Sequence, residues 1–225
     1  MTATAPEAHP AGPGPHPAGR RERKKQRTRE ALVDAAFRLF AEKGFDGTTV
    51  EEIADAVDVS SRTFFRYFAS KEDVALTFQE EQHAAMLSAL TDRPADEPVL
   101  TAVRRAVVGI AVACERGDLG FDPDRFECMM TLTADSDNLM AGSLEHAQKK
   151  QAILTRAIAA RMGTDPATDL RPHVVASSVI AAFHAAADAL TTDGLGFERL
   201  SDAVDAAFEL LEAGLNYPSE GARPE

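Results

Sequence analysis

The chain has no tryptophan, only two tyrosines and only two cysteines in 225 residues. Cys114 and Cys128 show neither CxxC spacing nor a nearby histidine pair, which argues against a disulfide framework or a zinc site and for two buried free thiols in a reducing compartment. No run approaches the about 18 consecutive apolar residues of a membrane span, and the first twenty residues lack the apolar stretch of a secretory signal, so the expectation is a cytoplasmic protein with no membrane partner. Also missing are a period-two alternation long enough for a sheet, a G-x-S-x-G elbow and a glycine-rich phosphate loop. What is present is 44% hydrophobic residues, ample for a core without staples, metal or cofactor.

A formal charge of −12 looks wrong for a nucleic-acid binder until it is divided along the chain. Residues 20–30 hold seven Arg or Lys against two Glu, and through residue 71 basic residues outnumber acidic ones. From residue 72 onward twelve basic residues face twenty-six acidic ones. An acidic body is repelled by DNA, so only the cationic end is suited to dock there.

Residues 1–19 are rich in Pro, Gly and Ala without periodicity and read as a disordered tail, as do residues 218–225. From Thr28 to Lys43 the apolar positions Leu32, Val33, Ala36, Phe37, Leu39 and Phe40 form one helical stripe closed by Gly44. Thr48-x-x-Glu51 and Thr49-x-x-Glu52 both fit a capping box for a short second helix carrying Val50, Ile53, Ala54 and Val57. Asp58 and Val59 form a turn, Ser60 caps a third helix from Ser61 to Phe68, and Ser70-x-x-Asp73 caps a fourth to about Leu90. Further helices are predicted over 98–116, 123–135, 138–162, 170–191 and 197–216, with Gly and Pro at the joints. The class is all-α with about nine helices: a three-helix helix-turn-helix module over 20–86, its motif at 49–68, then an α-helical body over 87–217.

A recognition helix needs small or polar residues at its exposed tip and apolar anchors behind. Ser61, Arg62 and Thr63 supply the tip, with Arg62 suited to bidentate bonding with guanine and Thr63 to thymine; Phe64 and Phe68 supply the anchors. Thr48, Thr49, Tyr67 and Lys71 are placed to meet phosphates, Arg66 belongs to the same DNA-binding set, and Arg23, Lys24, Lys25 and Arg27 form an arm for the DNA backbone or minor groove.

The segment AAFRLFAEKGFDGTTVEEIADAVDVSSRTFFRYFASKEDV resembles the amino-terminal domain of TetR-family transcriptional regulators, with its G-F-x-x-T-T-V-x-x-I-A-x-x-x-x-V and T-F-F-x-Y-F-x-x-K steps. The resemblance implies that the third helix reads operator DNA and that Lys71 meets phosphate. Phe65 stands where the family usually has a DNA-holding tyrosine, so an apolar contact with a thymine methyl or sugar is expected instead. It also implies that residues 20–86 are a DNA-binding domain and residues 87–217 a ligand-binding and dimerisation domain, with a homodimer formed by the last two helices, a small-molecule effector bound among the carboxy-terminal helices, and repression as the usual mode. The R-T-F-F-R-Y-F-x-S-K-E-D segment is similar to regulators with acyl-CoA-like ligands.

The final helix offers the stripe Leu200, Val204, Phe208, Leu211 and Leu215, and the helix before it is crowded with Ala and Ser, which suits a four-helix interface between two copies or else a monomer core. Phe126, Met129, Met130, Phe183 and His184 are candidate pocket residues, with core packing as the alternative. Arg104-Arg105 and Lys149-Lys150 read equally well as solvated surface. Two rival functions remain: a constitutive DNA-binding dimer without effector, and a bundle metalloenzyme built on Glu80-x-x-His83 or His184 with Asp188. The second lacks the further carboxylates and the second Glu-x-x-His of a di-metal bundle.

Overall fold

The computed structural model describes residues 17–215 apart from residue 136, with side chains over 21–132 and 148–215. The described residues form nine α-helices and one 3₁₀ turn, with no strand: α1 (Pro17–Lys43), α2 (Val50–Asp55), α3 (Ser61–Phe64), α4 (Lys71–Thr91), α5 (Val99–Arg116), the 3₁₀ turn Asp118–Gly120, α6 (Pro123–Asp135), α7 (Asp137–Met162), α8 (Arg171–Thr191) and α9 (Leu200–Ala213). The all-α class expected from the periodicity is the one observed.

Three helices differ in extent from expectation by more than one residue. α1 begins at Pro17, so the cationic run is the first part of a 27-residue helix, and residues 17–19 of the supposed disordered tail belong to it. The residues from 20 to 29 have good helix propensity, and Gln26 bonds Glu30 one turn on at 3.0 Å. α3 is regular only through Phe64, after which bonds from Arg66 N to Thr63 O and Tyr67 N to Phe64 O tighten the chain into turns. α9 stops at Ala213, three residues early, because Gly214 at φ 92° takes a conformation L side chains avoid. Residues 1–16 and 218–225, the rest of the two tails, lie outside the described residues.

α1, α2 and α3 pack with the first half of α4 around Leu32, Phe40, Ile53, Phe64, Phe68 and Val74, all buried. The second half of α4 enters the body, where α5 contacts α4 and α9, and α8 lies between α7 and α9. A chain of rings runs from one unit to the other: Phe45 to Phe40 (5.1 Å between centroids), Phe40 to Phe37 (5.9 Å), Phe37 to Phe78 (6.2 Å) and Phe78 to Phe126 of α6 (6.5 Å). At such spacing ring pairs contribute beyond area burial, so the two units share one core.

α9 is fixed to α5 at two places. Its N-cap residue, Arg199, gives no side-chain cap; the Glu115 carboxylate of α5 does so instead, accepting from Ser201 N at 2.8 Å and Ser201 Oγ at 2.7 Å while pairing with Arg199. Further along, Arg104 pairs with Asp205 (2.6 Å), Glu209 (2.8 Å) and Glu212 (2.8 Å). Arg104 is therefore a clamp and not the solvated surface residue that its sequence neighbourhood suggested; Arg105, more exposed, pairs with Glu97.

Leu200, Val204 and Phe208 of the stripe go into the core of the single chain, the second of the two readings their spacing allowed, and are not available to a dimer interface. Leu210 and Leu215 are the exposed apolar residues at this end. α8 buries Ala176, Val179, Ala182, Ala186 and Ala189, spaced three and four apart, and leaves Val174, Ser177, Ala181, His184 and Ala185 exposed. His184 is thus on the outer face of α8, two positions from both Ala182 and Ala186, and does not line the interior. Phe126 and Met129 are core residues, with Met130 and Phe183 half-buried beside them.

Candidate nucleic-acid interface

The reading unit starts with a division of labour between two threonines. Only one of the adjacent Thr48 and Thr49 can cap α2, and it is Thr49: its Oγ1 accepts from Glu52 N at 3.2 Å, and its own N–H donates to Glu52 Oε2 at 3.0 Å. Lys43 joins this box through Glu52 Oε1 at 2.6 Å, and that bond, followed by the backbone bond from Thr49, holds the Glu52 carboxyl below its usual pKa. Thr48, 1% exposed, turns inward, with its hydroxyl directed to Gly44 O at 2.9 Å and Leu39 O at 3.2 Å. It satisfies carbonyls at the end of α1. The expected phosphate contact by the Thr48 side chain is therefore withdrawn.

The turn between α2 and α3 uses Asp58 at φ 56°, a left-handed conformation that Asp tolerates better than most residues. Ser60 then caps α3, its Oγ accepting from Thr63 N at 3.2 Å. Thr63 Oγ1 lies 3.1 Å from Ser60 Oγ, so the hydroxyl belongs to the cap and the methyl is the part left for a base. Phe64 and Phe68, buried with centroids 5.6 Å apart, fix the inner side of the segment. Arg29 of α1 stacks over Phe68 at 5.1 Å, a contact that the count of basic residues in this run could not reveal.

The outer side is open. Arg62 is exposed and has no hydrogen bond or ion pair among the described residues. Phe65 is 56% exposed, edge-on to Phe64. Arg66 lies over the Tyr67 ring at 5.3 Å and donates to Tyr67 Oη at 3.2 Å, which holds both side chains extended beside one another. Arg23, Lys24, Lys25 and Arg27 are exposed on α1, where Lys25 makes a loose 3.8 Å pair with Glu22.

Lys71 departs most from its expected role. Its Nζ donates to Phe45 O at 2.7 Å and Thr48 O at 2.9 Å, with the Phe45 ring 4.5 Å away. It ties α4 to the loop between α1 and α2, and two of its three donors are already committed.

The unit is joined to the body through α6. Arg125 pairs with Asp34 of α1 and lies over the Phe37 ring at 5.9 Å, while Cys128 Sγ donates weakly to Phe37 O at 3.8 Å. Sequence spacing carries no sign of these contacts, since 91 residues separate each pair.

This geometry, a capped helix pair with a basic lead-in on an all-helical body, defines a helix-turn-helix protein. Comparison with known proteins places it further. Residues 32–77 match the family described as bacterial regulatory proteins, tetR family, and residues 97–216 match the MftR C-terminal domain. The chain is 38% identical over 207 residues to the HTH-type transcriptional regulator TcmR of Streptomyces glaucescens, covering 89% of this chain and 90% of that one. It is 28% identical over 196 residues to the putative mycofactocin biosynthesis transcriptional regulator MftR of Mycobacterium tuberculosis, with 86% and 94% covered. Among solved structures the fold is shared with SmeT of Stenotrophomonas maltophilia, in its triclosan complex (TM-score 0.58, 21% identity, 89% and 98% covered), and with Thermus thermophilus FadR, in complex with lauroyl-CoA (0.56, 23%, 88% and 100%). The chain belongs to the TetR family of transcriptional regulators. It is a DNA-binding regulator and not an enzyme.

Proposed function

We propose that this regulator is a homodimeric repressor that puts the α3 segment of each subunit into a major groove and leaves its operator when a small apolar or acyl-CoA-like effector binds the carboxy-terminal helices. The observation that carries the DNA reading is the two-sidedness of α3: Phe64 and Phe68 anchor one side while Arg62, Phe65 and Arg66 stand exposed on the other. In this reading Ser61, Arg62, the Thr63 methyl and Phe65 meet base edges, and Thr49, Arg66, Tyr67, Arg23, Lys24, Lys25 and Arg27 meet phosphates. The basic residues of α1 extend the footprint as a helical rod and not as a loose arm.

The dimer is supported by α8. Its apolar stretch has a mean hydropathy of 1.5, long and apolar enough by composition to cross a membrane, yet it packs between α7 and α9 with only 28% of that stretch buried in the single chain. The exposed positions Val174, Ser177, Ala181 and Ala185, together with Leu210, form a surface of small and apolar residues suited to an isologous pairing of α8 and α9 from two copies. The effector is supported by two relatives of the same fold, FadR held with lauroyl-CoA and SmeT with triclosan. Effector binding would shift the dimer toward a half-site spacing that no longer fits the duplex.

Selection of bound duplexes from randomised DNA, followed by anisotropy titration of the winner with and without hydrophobic compounds, tests the proposal. A selected sequence bound far more tightly than random DNA, and released by at least one compound that also raises the melting temperature, is the expected result. No preference among duplexes would refute the DNA reading.

A further inference from the structure

Between α4 and α7 the body holds polar side chains that are not fully matched with one another. Gln79 and His83 lie one turn apart on α4, on the side toward α7. Lys150 of α7 is half-buried and donates to Gln79 Oε1 at 3.2 Å. His83 Nε2 is buried and has no hydrogen-bond partner among the described residues. A buried polar atom left unmatched is rare in a folded protein and points to something absent from the free chain.

The surrounding charges agree with this reading. Burial pushes the Lys150 ammonium below its usual pKa despite the opposing charge of Glu80. Burial, with the Lys150 charge second, does the same to His83. Both groups therefore sit where a negative charge would relieve the positive one. The neighbour on the inner side is apolar: Phe78 precedes Gln79 and packs with Phe121 at 6.0 Å and Phe126 at 6.5 Å, next to Met129.

We propose that this is the anchor for an acidic effector, a carboxylate or ionised phenol on an apolar skeleton, whose oxygen accepts from Lys150 Nζ and His83 Nε2 and displaces Gln79 from the lysine. The skeleton then lies toward Phe78, Phe126 and Met129. The inference rests on the effector reading above and names the chemistry that site prefers. Lys150, which the sequence suggested as solvated surface, and His83, which it offered as half of a metal motif, become partners on one ligand atom.

The test is calorimetric titration of the full chain with decanoate and 2-naphthoate, each set against its uncharged carboxamide, and with decanoyl-coenzyme A. At least one acid is expected to bind roughly 10–100-fold more tightly than its amide, the scale of one or two charge-assisted hydrogen bonds. Lys150→Met should abolish the preference, Lys150→Arg should retain most of it, and His83→Phe should reduce it, with unliganded melts confirming that each variant folds. The anchor is refuted by absence of binding of both acids, by equal binding of acid and amide, or by a preference that survives in Lys150→Met. Decanoyl-coenzyme A binding alone, indifferent to Lys150→Met, also refutes it. The two readings fail separately: uncharged compounds that release operator DNA without any acid binding keep the regulator and remove the anchor, whereas acid binding that leaves operator affinity unchanged keeps the anchor and removes its effector role.

Discussion

Lys71 places its ammonium 4.5 Å from the centre of the Phe45 ring while donating to the Phe45 carbonyl at 2.7 Å. One side chain at the start of α4 thereby holds the loop that orients α2, and a residue that the family resemblance assigns to phosphate serves the fold as well.

Lys71→Ala should therefore act first on stability. Two carbonyls lose their donor, a loss of about 1–3 kcal/mol, which lowers the melting temperature by roughly 2–4 °C per kcal/mol in a chain of this size. Scanning calorimetry reads it. An unchanged melt with a salt slope of DNA binding reduced by about one would instead return the lysine to phosphate.

Arg62→Ala should remove preference without removing affinity for DNA in general. A loss of about 1–3 kcal/mol is expected on the selected operator and little on random duplex. The triple change of Lys24, Lys25 and Arg27 to Gln should do the reverse, weakening both duplexes alike and lowering the salt slope by up to about three. Anisotropy at several salt concentrations separates the two patterns.

Glu115→Gln should uncouple α9 from α5. Burial alone would raise the Glu115 pKa, but the bonds from Ser201 and the Arg199 charge outweigh it and the net direction is downward. A carboxyl held lower in the folded state adds stability above its unfolded pKa of about 4.3 and loses it as pH falls through the folded value. The melting temperature of the variant should thus lie below that of the parent at pH 7, by the equivalent of about 0.5–2 kcal/mol for a lost helix cap. The gap should close in acid below the ordinary carboxylate range. A gap constant from pH 7 to pH 3 would contradict the assignment.

Leu210→Glu and Ala185→Arg, both on exposed positions of α9 and α8, should leave the single chain folded and weaken self-association. A central interface residue contributes about 2 kcal/mol or more, so the dimer dissociation constant should rise roughly thirtyfold. Sedimentation velocity reads the change, and operator affinity should fall with it.

The reading unit was largely legible in the sequence because its signals are local. Caps at Thr49, Ser60 and Ser70 act within three residues, and Phe64 and Phe68 face inward by helical period. The two adjacent threonines mark the limit: pattern alone fits either as cap, and only the end of α1 decides that Thr48 is buried. The body was legible as helices but not as contacts. Glu115 with Ser201 and Arg125 with Asp34 are separated by 86 and 91 residues, and no spacing rule reaches so far. The stripe on α9 left dimer interface and monomer core both open because an apolar stripe shows that a helix packs, and does not show on whose core.

Because a carboxylate from α5 closes the amino end of α9, the last helix has no complete beginning of its own. Its first turn therefore depends on a residue 86 positions earlier, and any displacement of α5 leaves the leading amides of α9 without their acceptor. The face of α8 and α9 proposed for pairing is thus held from behind by α5, so a change on α5 that never touches a second copy reaches that face through Glu115 and Arg104.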